Sequence, residues 1–575
     1  MTLSARPSAP IRRLVLGAAG MLMCSGAAWA ERGSDGDLRI LYWQAPTTLN
    51  PYISTANKDV DAASLVLEPL AGIADDGSLY PRLAEQIPTL ENGGIAPDFT
   101  AITWKLKPGI LWSDGSPLTA SDVVFTADYC MAEGFGCASA ARFAGIKEVQ
   151  ALDDLTVKIT FEAPKYAPYQ AFVGSRVPVI QAAQFADCVG AAGVSCSTQN
   201  FGPLGTGPFV VDAFRPNDVV TLSANAQYRD AAKPAFAKVT LKGGGDPTGA
   251  ARAVLETGEY DFAWNLQIAP EVLAQMEAAG KGKTLVSMGT WVERIELNQT
   301  DPSASLPEGE RSTLAHPHPF LTDPAVRQAL SMAIDRQILT EIGYGAAGRA
   351  TCNIVPTPEA YVSADNTACL TQDVEGAKKL LDQAGWLPGP DGIRVKDGMR
   401  LKLLFQASVN SVRQDFQALI KQWWADIGVE TELKQIDGSV FFGGDPGSPD
   451  TMQKLYADAH MYANSFDNPD PEAFMSNLTC ARIPTPATQW AGNNFARYCD
   501  PAYDAKVDQL RQTADPATRQ ALVKDLNLMA TRDSNVILPL VHRGMVAAHA
   551  NSLAGVLPNA WESNLWNIQD WSRAK

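Results

Sequence analysis

The amino-acid sequence predicts a mixed α/β fold with more than one folding unit. Segments with the two-residue alternation of a strand follow segments with the apolar repeat of a helix along the whole chain, an order typical of α/β domains. The chain has 575 residues, of which 46% are hydrophobic and 19% charged. This composition is typical of globular proteins, and at about 100–200 residues per domain the length excludes one small domain.

Four segments predict strands. Residues 38–42 form the first, and residues 103–106 alternate before a Pro-Gly turn. Thr156–Phe161 carries an apolar residue at every second position, which is typical of a strand with one buried face. Residues 429–434 alternate in the same way.

Helices are predicted where a capping residue precedes an apolar repeat. Thr119 and Asp122 form a capping-box pattern before one such repeat. Asp323 precedes Pro324, which favours a second helix start because proline has no amide to satisfy in the first turn. The stripe expected on this helix consists of Val326, Leu330, Ala333, Ile334 and Ile338.

Two further helices are predicted in the C-terminal half. One begins at Asp373 and ends at Gly385, a residue type that favours the helix C-cap. The other ends at Gly428, and its expected apolar face consists of Val412, Phe416, Leu419, Trp423 and Ile427.

The N-terminus predicts a cleaved export signal in residues 1–30. Three arginines precede an apolar run over residues 14–24, and the sequence Ala28-Trp29-Ala30 follows with the small residues of a cleavage site. The run is too short to span a bilayer, which takes about 20 residues. Lipoprotein processing at Cys24 is an alternative, although Met23 is larger than the small residue that usually precedes such a cysteine.

The charge of the chain disfavours a nucleic-acid partner. The formal net charge is −16, and it becomes −19 once the three arginines of the signal are removed. Binding to phosphate backbones depends on clustered Lys and Arg. No later segment approaches the apolar length of a membrane span, so we expect a soluble mature protein.

Eight cysteines remain after Cys24, and an even number in an exported protein favours disulfides. Eight cysteines allow 105 connectivities. Nearest neighbours along the chain are the favoured pairing, which gives Cys130 with Cys137, Cys188 with Cys196, Cys352 with Cys369, and Cys480 with Cys499.

Several sequence blocks resemble those of extracytoplasmic solute-binding proteins of the peptide/nickel ABC-transporter family. Residues 104–124, WKLKPGILWSDGSPLTASDVV, are similar to a signature of that family. Further blocks follow in the expected order, at residues 205–209, 256–261, 326–336 and 377–386. The resemblance covers essentially the whole chain after the signal.

The resemblance implies a two-lobed fold like that of type II periplasmic binding proteins, with an extra subdomain in the N-terminal lobe. On this basis we expect the N-terminal lobe at residues 31–290, with the subdomain inserted at about 75–200. The C-terminal lobe is expected at 291–540, and residues 541–575 are expected to return to the N-terminal lobe as a tail.

The resemblance also implies the function of the substrate-binding component of an ABC importer. Such a protein works in the periplasm, captures peptides or peptide-like solutes in a cleft that closes at a hinge, and presents them to a permease of the inner membrane. We expect a monomer that catalyses no reaction and has no cofactor. The alternative is the same fold with a non-peptide cargo, such as an opine, a sugar, nickel or a metallophore complex.

Residues 462–472 contain the expected ligand-binding residues. Peptide-binding relatives carry an aromatic residue and, three positions later, an aspartate that pairs with the peptide ammonium. Alignment on Pro469 places Tyr462 at the aromatic position and Ser465 at the aspartate position. A neutral serine cannot compensate a buried ammonium, which favours a non-peptide or modified cargo. The candidates are therefore Tyr462, Asn464, Ser465, Phe466 and Asp467, with Asp467 either replacing the missing carboxylate or forming part of a solvated loop.

Two other features are weaker. Trp490, between Cys480 and Cys499, is a candidate stacking wall for a ligand or a buried core residue. His316 and His318 are spaced to face one metal on an extended chain, but a site needs more ligands, so no metal site is predicted. A secreted hydrolase is a further alternative, without a recognisable catalytic motif behind it.

Overall fold

The computed structural model describes residues 31–574, apart from Thr55, residues 443–446 and Gln489. The predicted export signal, residues 1–30, lies outside these described residues.

The first large sheet collects strands from both ends of the chain. Its seven strands lie in the spatial order Gly282–Ser287, Met545–Ala550, Phe262–Ala263, Asp37–Tyr42, Lys238–Gly243, Val219–Ala224 and Phe209–Arg215. The predicted first strand, residues 38–42, lies near the middle of this sheet and is parallel to both of its neighbours. Leu38, Ile40 and Tyr42 are buried on one face of this strand, whereas Arg39 on the other face is exposed and Leu41 is partly buried.

The second large sheet belongs to the C-terminal half. Its six strands lie in the order Gly348–Ala350, Ile537–Arg543, Val292–Leu297, Ala459–Asn464, Lys402–Ser408 and Glu430–Ile436. The last of these matches the strand predicted at residues 429–434. A third, three-stranded sheet lies within the range predicted for the inserted subdomain and consists of Ala101–Lys105, Thr156–Phe161 and Ile146–Asp153.

Helices cover the sheets. Those among the described residues are Asn57–Ala63, Ala120–Met131, Ala140–Phe143, Ala182–Phe185, Ser197–Phe201, Pro247–Leu255, Pro270–Glu277, Pro324–Met332, Arg336–Gly343, Val374–Gln383, Ser411–Asp426, Gly438–Phe441, Glu472–Ser476, Pro501–Arg511 and Pro516–Leu528. The predicted capping box is present, because the amide of Thr119 donates to Asp122 Oδ2 at 2.9 Å. Asp373 also caps its helix, through a hydrogen bond from the amide of Gly376 at 2.7 Å.

One predicted helix is wrong in its extent. The stripe from Val326 to Ile338 is divided between two helices, Pro324–Met332 and Arg336–Gly343. The carboxylate of Asp335 accepts hydrogen bonds from the amides of residues 337 and 338 and so starts a new helix. Ile338 consequently lies 40% exposed.

The four disulfides join the cysteines in the predicted nearest-neighbour pairs. Their Cα–Cα distances of 4.6–5.8 Å lie within the usual range for a disulfide. Each closes a short loop inside one part of the chain.

Two large apolar clusters correspond to the two sheets. One lies on the second sheet beneath helices Pro324–Met332, Val374–Gln383 and Ser411–Asp426. The other extends from the first and third sheets to residues of helices Pro501–Arg511 and Pro516–Leu528. The predicted α/β architecture with two lobes is therefore confirmed.

The chain crosses between the two large sheets twice, at residues 287–292 and 543–545. The crossings are neighbours, because the amide of Arg543 donates to the carbonyl of Trp291 at 2.9 Å and His542 Nε2 donates to the carbonyl of Gly289 at 2.7 Å. We propose lobe limits at these crossings, at residue 290 as expected and at residue 543 in place of the expected 540, because the whole strand Ile537–Arg543 belongs to the second sheet.

Gly289 provides a test of how tightly the first crossing is packed. A Cβ atom at this position would lie 2.7 Å from the carbonyl oxygen of Ala560 in the C-terminal tail. We expect Gly289→Ala to lower the free energy of unfolding by about 1–3 kcal/mol, as overpacked sites do. Urea denaturation measures this loss. Gly309→Ala is the control, since no atom lies within 4 Å of the corresponding position there, and equal midpoints for the two variants would contradict the expectation.

Candidate ligand-binding site between the lobes

The loop after strand Ala459–Asn464 reaches across to the N-terminal lobe. Asp467 in this loop accepts a hydrogen bond from Arg142 and forms an ion pair with Arg176, whose Nε lies 2.6 Å from Asp467 Oδ2. The neighbouring Asn468 donates through Nδ2 to the carbonyl of Tyr169 at 2.9 Å. The tip of this loop is therefore held against the N-terminal lobe.

The two arginines keep Asp467 ionised. Burial alone would raise the pKa of Asp467, but the charges of Arg142 and Arg176 lower it below its ordinary value. The side chain of Asp467 is 30% exposed and that of Arg142 is 15% exposed. Arg176 also donates to Asn57 Oδ1, and its charge acts on the pKa of Asp61 as well as on that of Asp467.

Tyr462 lies beneath the loop, in the C-terminal lobe. Its ring is 3% exposed, and its hydroxyl donates to Glu296 Oε1 at 2.7 Å and accepts from Arg294 at 2.8 Å. Asn464 extends this network, because its Nδ2 donates to the Tyr462 hydroxyl at 3.3 Å and its Oδ1 accepts from the amide of Ser465 at 2.8 Å. Ser465 itself is partly exposed at the interface.

Glu296 supplies the fixed negative charge of this network. Burial alone would raise its pKa, but the charge of Arg294 and the neighbouring His460 lower it to about 2. The same burial and the Glu296 charge raise the pKa of Tyr462 far above its ordinary value, so the hydroxyl keeps its proton. The position of Asn464 and Ser465 thus depends on a buried ion pair one layer below.

Phe466 connects the loop to the first crossing between the lobes. Its amide donates to Thr290 Oγ1 at 2.9 Å, and its carbonyl accepts from the same hydroxyl. Its ring packs on Phe474, with centroids 4.9 Å apart, and on Trp561 of the tail at 6.2 Å. A shift of the loop therefore has to move the crossing as well.

The N-terminal lobe contributes aromatic and amide side chains. Trp264 stacks on Tyr42, with centroids 4.8 Å apart and planes 7° apart. Three residues further on, Gln267 accepts a hydrogen bond from Asn410 of the C-terminal lobe. Asn410 caps helix Ser411–Asp426, so this contact joins a helix start in one lobe to the segment after strand Phe262–Ala263 in the other.

The carboxyl group of Asp61 lies beside Tyr42, the residue on which Trp264 stacks. Asp61 accepts hydrogen bonds from the Tyr42 hydroxyl at 2.9 Å and from Asn564 at 3.3 Å. Burial raises the pKa of Asp61 to about 6, although these hydrogen bonds and the charge of Arg176 act in the opposite direction.

An open cavity of about 450 Å³ lies beside the first crossing and takes residues from both lobes. Three carboxylates line it, at Asp75, Asp76 and Glu359. It adjoins the loop through Trp561, which also lines it and packs on Phe466. The arginines that pair with Asp467 and the three carboxylates of this cavity thus lie at two different points of the interface.

Trp490 packs against other residues of the C-terminal lobe. Its ring packs edge-on against Tyr456 at 5.9 Å, and the ammonium of Lys454 lies 5.7 Å from its centre. Its side chain is 8% exposed. Contact of Trp490 with a ligand remains a prediction.

The two close histidines have separate partners. His316 Nε2 lies 2.7 Å from Glu310, whereas the buried His318 pairs with Asp458 at 2.9 Å. Across the described ranges, no three His, Cys, Asp or Glu side chains are grouped closely enough to hold a metal ion. None of the described helices combines the length and the apolar character that crossing a membrane requires.

The profile of the bacterial extracellular solute-binding proteins, family 5, middle region, matches residues 78–483. The protein belongs to this family. This membership confirms the resemblance seen in the sequence blocks and the predicted class of solute-binding protein.

The alignments of this chain with similar known proteins cover nearly its whole length. Protein XP55 of Streptomyces lividans is 27% identical over 537 residues, which are 92% of this chain and 88% of that protein. The oligopeptide-binding protein AppA from Bacillus subtilis, solved with a nonapeptide, has a TM-score of 0.78 at 20% identity, covering 95% of this chain and 100% of its own. NikZ from Campylobacter jejuni, solved with Ni(L-His), has a TM-score of 0.77 at 22% identity, covering 93% of this chain and 99% of its own. These likenesses confirm the two-lobed fold.

Sequence reasoning missed Arg142, Arg176 and Thr290. A usable signal existed for the two arginines, because each is an isolated charge in an otherwise uncharged stretch, residues 138–146 and 168–180. If such an uncharged segment is buried on folding, its one charged side chain is buried too and needs a partner of opposite charge. The role of Thr290 has no such signal, since it depends on a partner 176 positions away.

The raised pKa of Asp61 predicts a pH-dependent difference between the wild type and Asp61→Asn. In the unfolded chain this carboxyl ionises near its ordinary pKa of 3.8, whereas in the folded protein it ionises at about 6. The folded state therefore holds the extra proton between these values, and the free energy of unfolding falls by about 3 kcal/mol as the pH rises through this window.

Asp61→Asn cannot ionise and should lack this fall. Its stability relative to the wild type is expected to rise by about 3 kcal/mol between pH 4 and pH 7, measured by urea denaturation at each pH. Asp187→Asn, at an exposed position, is the control and should follow the wild type. Parallel curves for the wild type and Asp61→Asn would contradict the prediction.

Proposed function

We propose that the protein is the substrate-binding component of an ABC importer and captures a peptide or peptide-like solute between its lobes. The family supports the class of function, and AppA, with a nonapeptide in its structure, supports the class of cargo. We further propose that the protein acts as a monomer with an inner-membrane permease as its partner.

The observation that carries this proposal is the convergence of Arg142, Arg176 and Asp467 at the lobe interface. Guanidinium groups bind carboxylates through charge-assisted hydrogen bonds. We therefore propose that this point receives a carboxylate of the solute.

The acidic cavity supports a zwitterionic solute. Asp75, Asp76 and Glu359 place negative charge beside Trp561, whereas the arginines place positive charge beside Asp467. Ser465, at the position where peptide-binding relatives carry an aspartate, adds no charge between them. The ammonium of a peptide accordingly belongs nearer to the cavity than to Ser465 in this proposal.

The proposed closed state of the two lobes is stabilised by contacts that already cross the interface. Asp467, Phe466 and Asn410 each bond to the opposite lobe or to the crossing. A solute that bonds to both walls adds to these contacts only when the lobes are together, so it favours the closed state. The crossings at residues 287–292 and 543–545 are the hinge in this mechanism.

Charge removal at the arginines tests the proposal. We expect Arg142→Gln and Arg176→Gln to weaken binding of peptides with a free C-terminal carboxylate about 10- to 100-fold, since a hydrogen bond to a charged group contributes about 1.5–3 kcal/mol. C-terminally amidated peptides should lose much less. Equilibrium dialysis of a defined pool of di- to pentapeptides, with detection by mass spectrometry, measures both. Arg252→Gln, on an exposed helix of the N-terminal lobe, is the control.

Asp467→Asn separates two roles for the aspartate. If Asp467 competes with the solute for the arginines, this variant binds free carboxylates more tightly than the wild type. Weaker binding of peptides with a free N-terminus, without a matching loss for N-acetylated peptides, would instead assign Asp467 to the peptide ammonium, the role considered from the sequence. Unchanged affinity in all three site variants would contradict the proposed site.

The second candidate is a non-peptide cargo, namely an opine, a sugar, nickel or a metallophore complex. The arginine pair favours it specifically for carboxylate-rich members of this group, and Ser465 weakens the match to ordinary peptides. Intact mass spectrometry of protein purified from its own cells decides between the candidates by the mass of the retained solute. The same measurement tests the proposed cleavage after Ala30 and release into the periplasm, for which a mature chain beginning at Glu31 is expected.

A further inference from the structure

The segment that follows the short strand Phe262–Ala263 forms part of the wall that the N-terminal lobe presents to its partner lobe. The amide of Trp264 donates to the carbonyl of Leu41 at 3.3 Å, which continues the strand pairing. Gln267 then bonds to Asn410 of the C-terminal lobe. The segment between these two contacts is therefore fixed at both ends, and at Gln267 it reaches the interface.

Two side-chain atoms in this segment are buried without a partner. Trp264 is 3% exposed and Asn265 is 8% exposed, yet Trp264 Nε1 and Asn265 Oδ1 have no hydrogen-bond partner among the described residues. Leaving such a group unpaired costs about 1–3 kcal/mol, and buried polar groups in native proteins are nearly always paired. One atom is a donor and the other an acceptor, on successive residues.

The surroundings hold both side chains in place. Tyr42 stacks on the Trp264 ring, and the neighbouring Trp43 donates through Nε1 to the carbonyl of Asn265 at 2.9 Å. Asn265 has a φ of +50°, in the left-handed region that asparagine tolerates better than most residues. The donor and the acceptor are therefore positioned by the protein itself.

We propose that Trp264 and Asn265 recognise the backbone of one residue of a bound peptide. Trp264 Nε1 donates to the carbonyl oxygen of that residue and Asn265 Oδ1 accepts from its N–H, because these two groups point to the same side of an extended chain, whereas the C=O and N–H of a single trans amide point in opposite directions. This inference rests on the proposed function and narrows it, because it requires a solute with successive amide groups, as in a peptide backbone. A sugar without amide groups does not satisfy both atoms in this way.

Three variants test this inference by equilibrium dialysis against an equimolar pool of unmodified di- to pentapeptides. Trp264→Phe keeps an aromatic ring on Tyr42 but removes the donor. Asn265→Gly keeps the backbone conformation but removes the acceptor, whereas Asn265→Asp retains an acceptor oxygen. For the peptides that the wild type retains, Trp264→Phe and Asn265→Gly are each expected to weaken binding about fivefold or more, as the loss of a hydrogen bond of about 1 kcal/mol does. Asn265→Asp should restore most of the affinity.

Trp571→Phe is the matched control. Trp571 is equally buried, but its Nε1 already donates to Asn567 Oδ1 at 2.8 Å. We expect this variant to lose stability and to bind peptides as the wild type does.

The outcomes separate the two proposals. If the wild type retains peptides and both Trp264→Phe and Asn265→Gly bind them equally well, the amide-recognition role is overturned while the peptide function stands. If the wild type retains no peptide, the peptide function fails and the inference fails with it. Asn265→Gly leaves the Trp264–Tyr42 stack untouched, so it tests the acceptor even if Trp264→Phe does not fold.

Discussion

The pairing of one carboxylate with two guanidinium groups across the lobe interface is the interaction on which the proposed site depends. Moving an ionised group out of water costs several kcal/mol unless an opposite charge meets it in good geometry. Asp467 belongs to the C-terminal lobe, and Arg142 and Arg176 belong to the N-terminal lobe. Closing the lobes therefore brings Asp467 onto the arginines in a defined arrangement. The proposed contact of these arginines with a carboxylate of the solute depends on this arrangement.

The rest of the C-terminal lobe holds the Asp467 loop in position for that pairing. Glu296 fixes the Tyr462 hydroxyl, the hydroxyl holds Asn464, and Thr290 bonds both backbone groups of Phe466. Buried charged networks of this kind contribute little net stability, and among the described residues Arg294 Nε and His460 Nδ1 of this network have no hydrogen-bond partner. Because Thr290 lies in the first crossing, the position of the loop and the relative position of the lobes depend on each other.

Local sequence patterns predicted the secondary structure where the deciding interaction lies within a few residues. The capping box at Thr119 and the helix start at Asp373 depend on hydrogen bonds over three positions. The helix break at Asp335 was missed because the apolar stripe continued through it, although the aspartate cap that causes it is also local. Helix Ser411–Asp426 buries Ile420 and Trp424 more completely than the expected Leu419 and Trp423. Trp424 Nε1 donates to the carbonyl of Leu330, 94 positions away, and this hydrogen bond favours burial of the helix face that carries Ile420 and Trp424.

The sequence by itself determined the fold class, the pairing of the cysteines, the family and the loop at residues 464–467. These follow from periodicity, short-range spacing and blocks of residues, all of which are present in the sequence whatever the positions of the residues in space. The tertiary structure decided which charges meet and which polar atoms remain unpaired. Arg142 and Asp467 are 325 positions apart, and the unpaired atoms of Trp264 and Asn265 are recognisable only once every neighbour is in place. Electrostatic and hydrogen-bond energies depend on distances in space, and separation along the chain does not specify those distances.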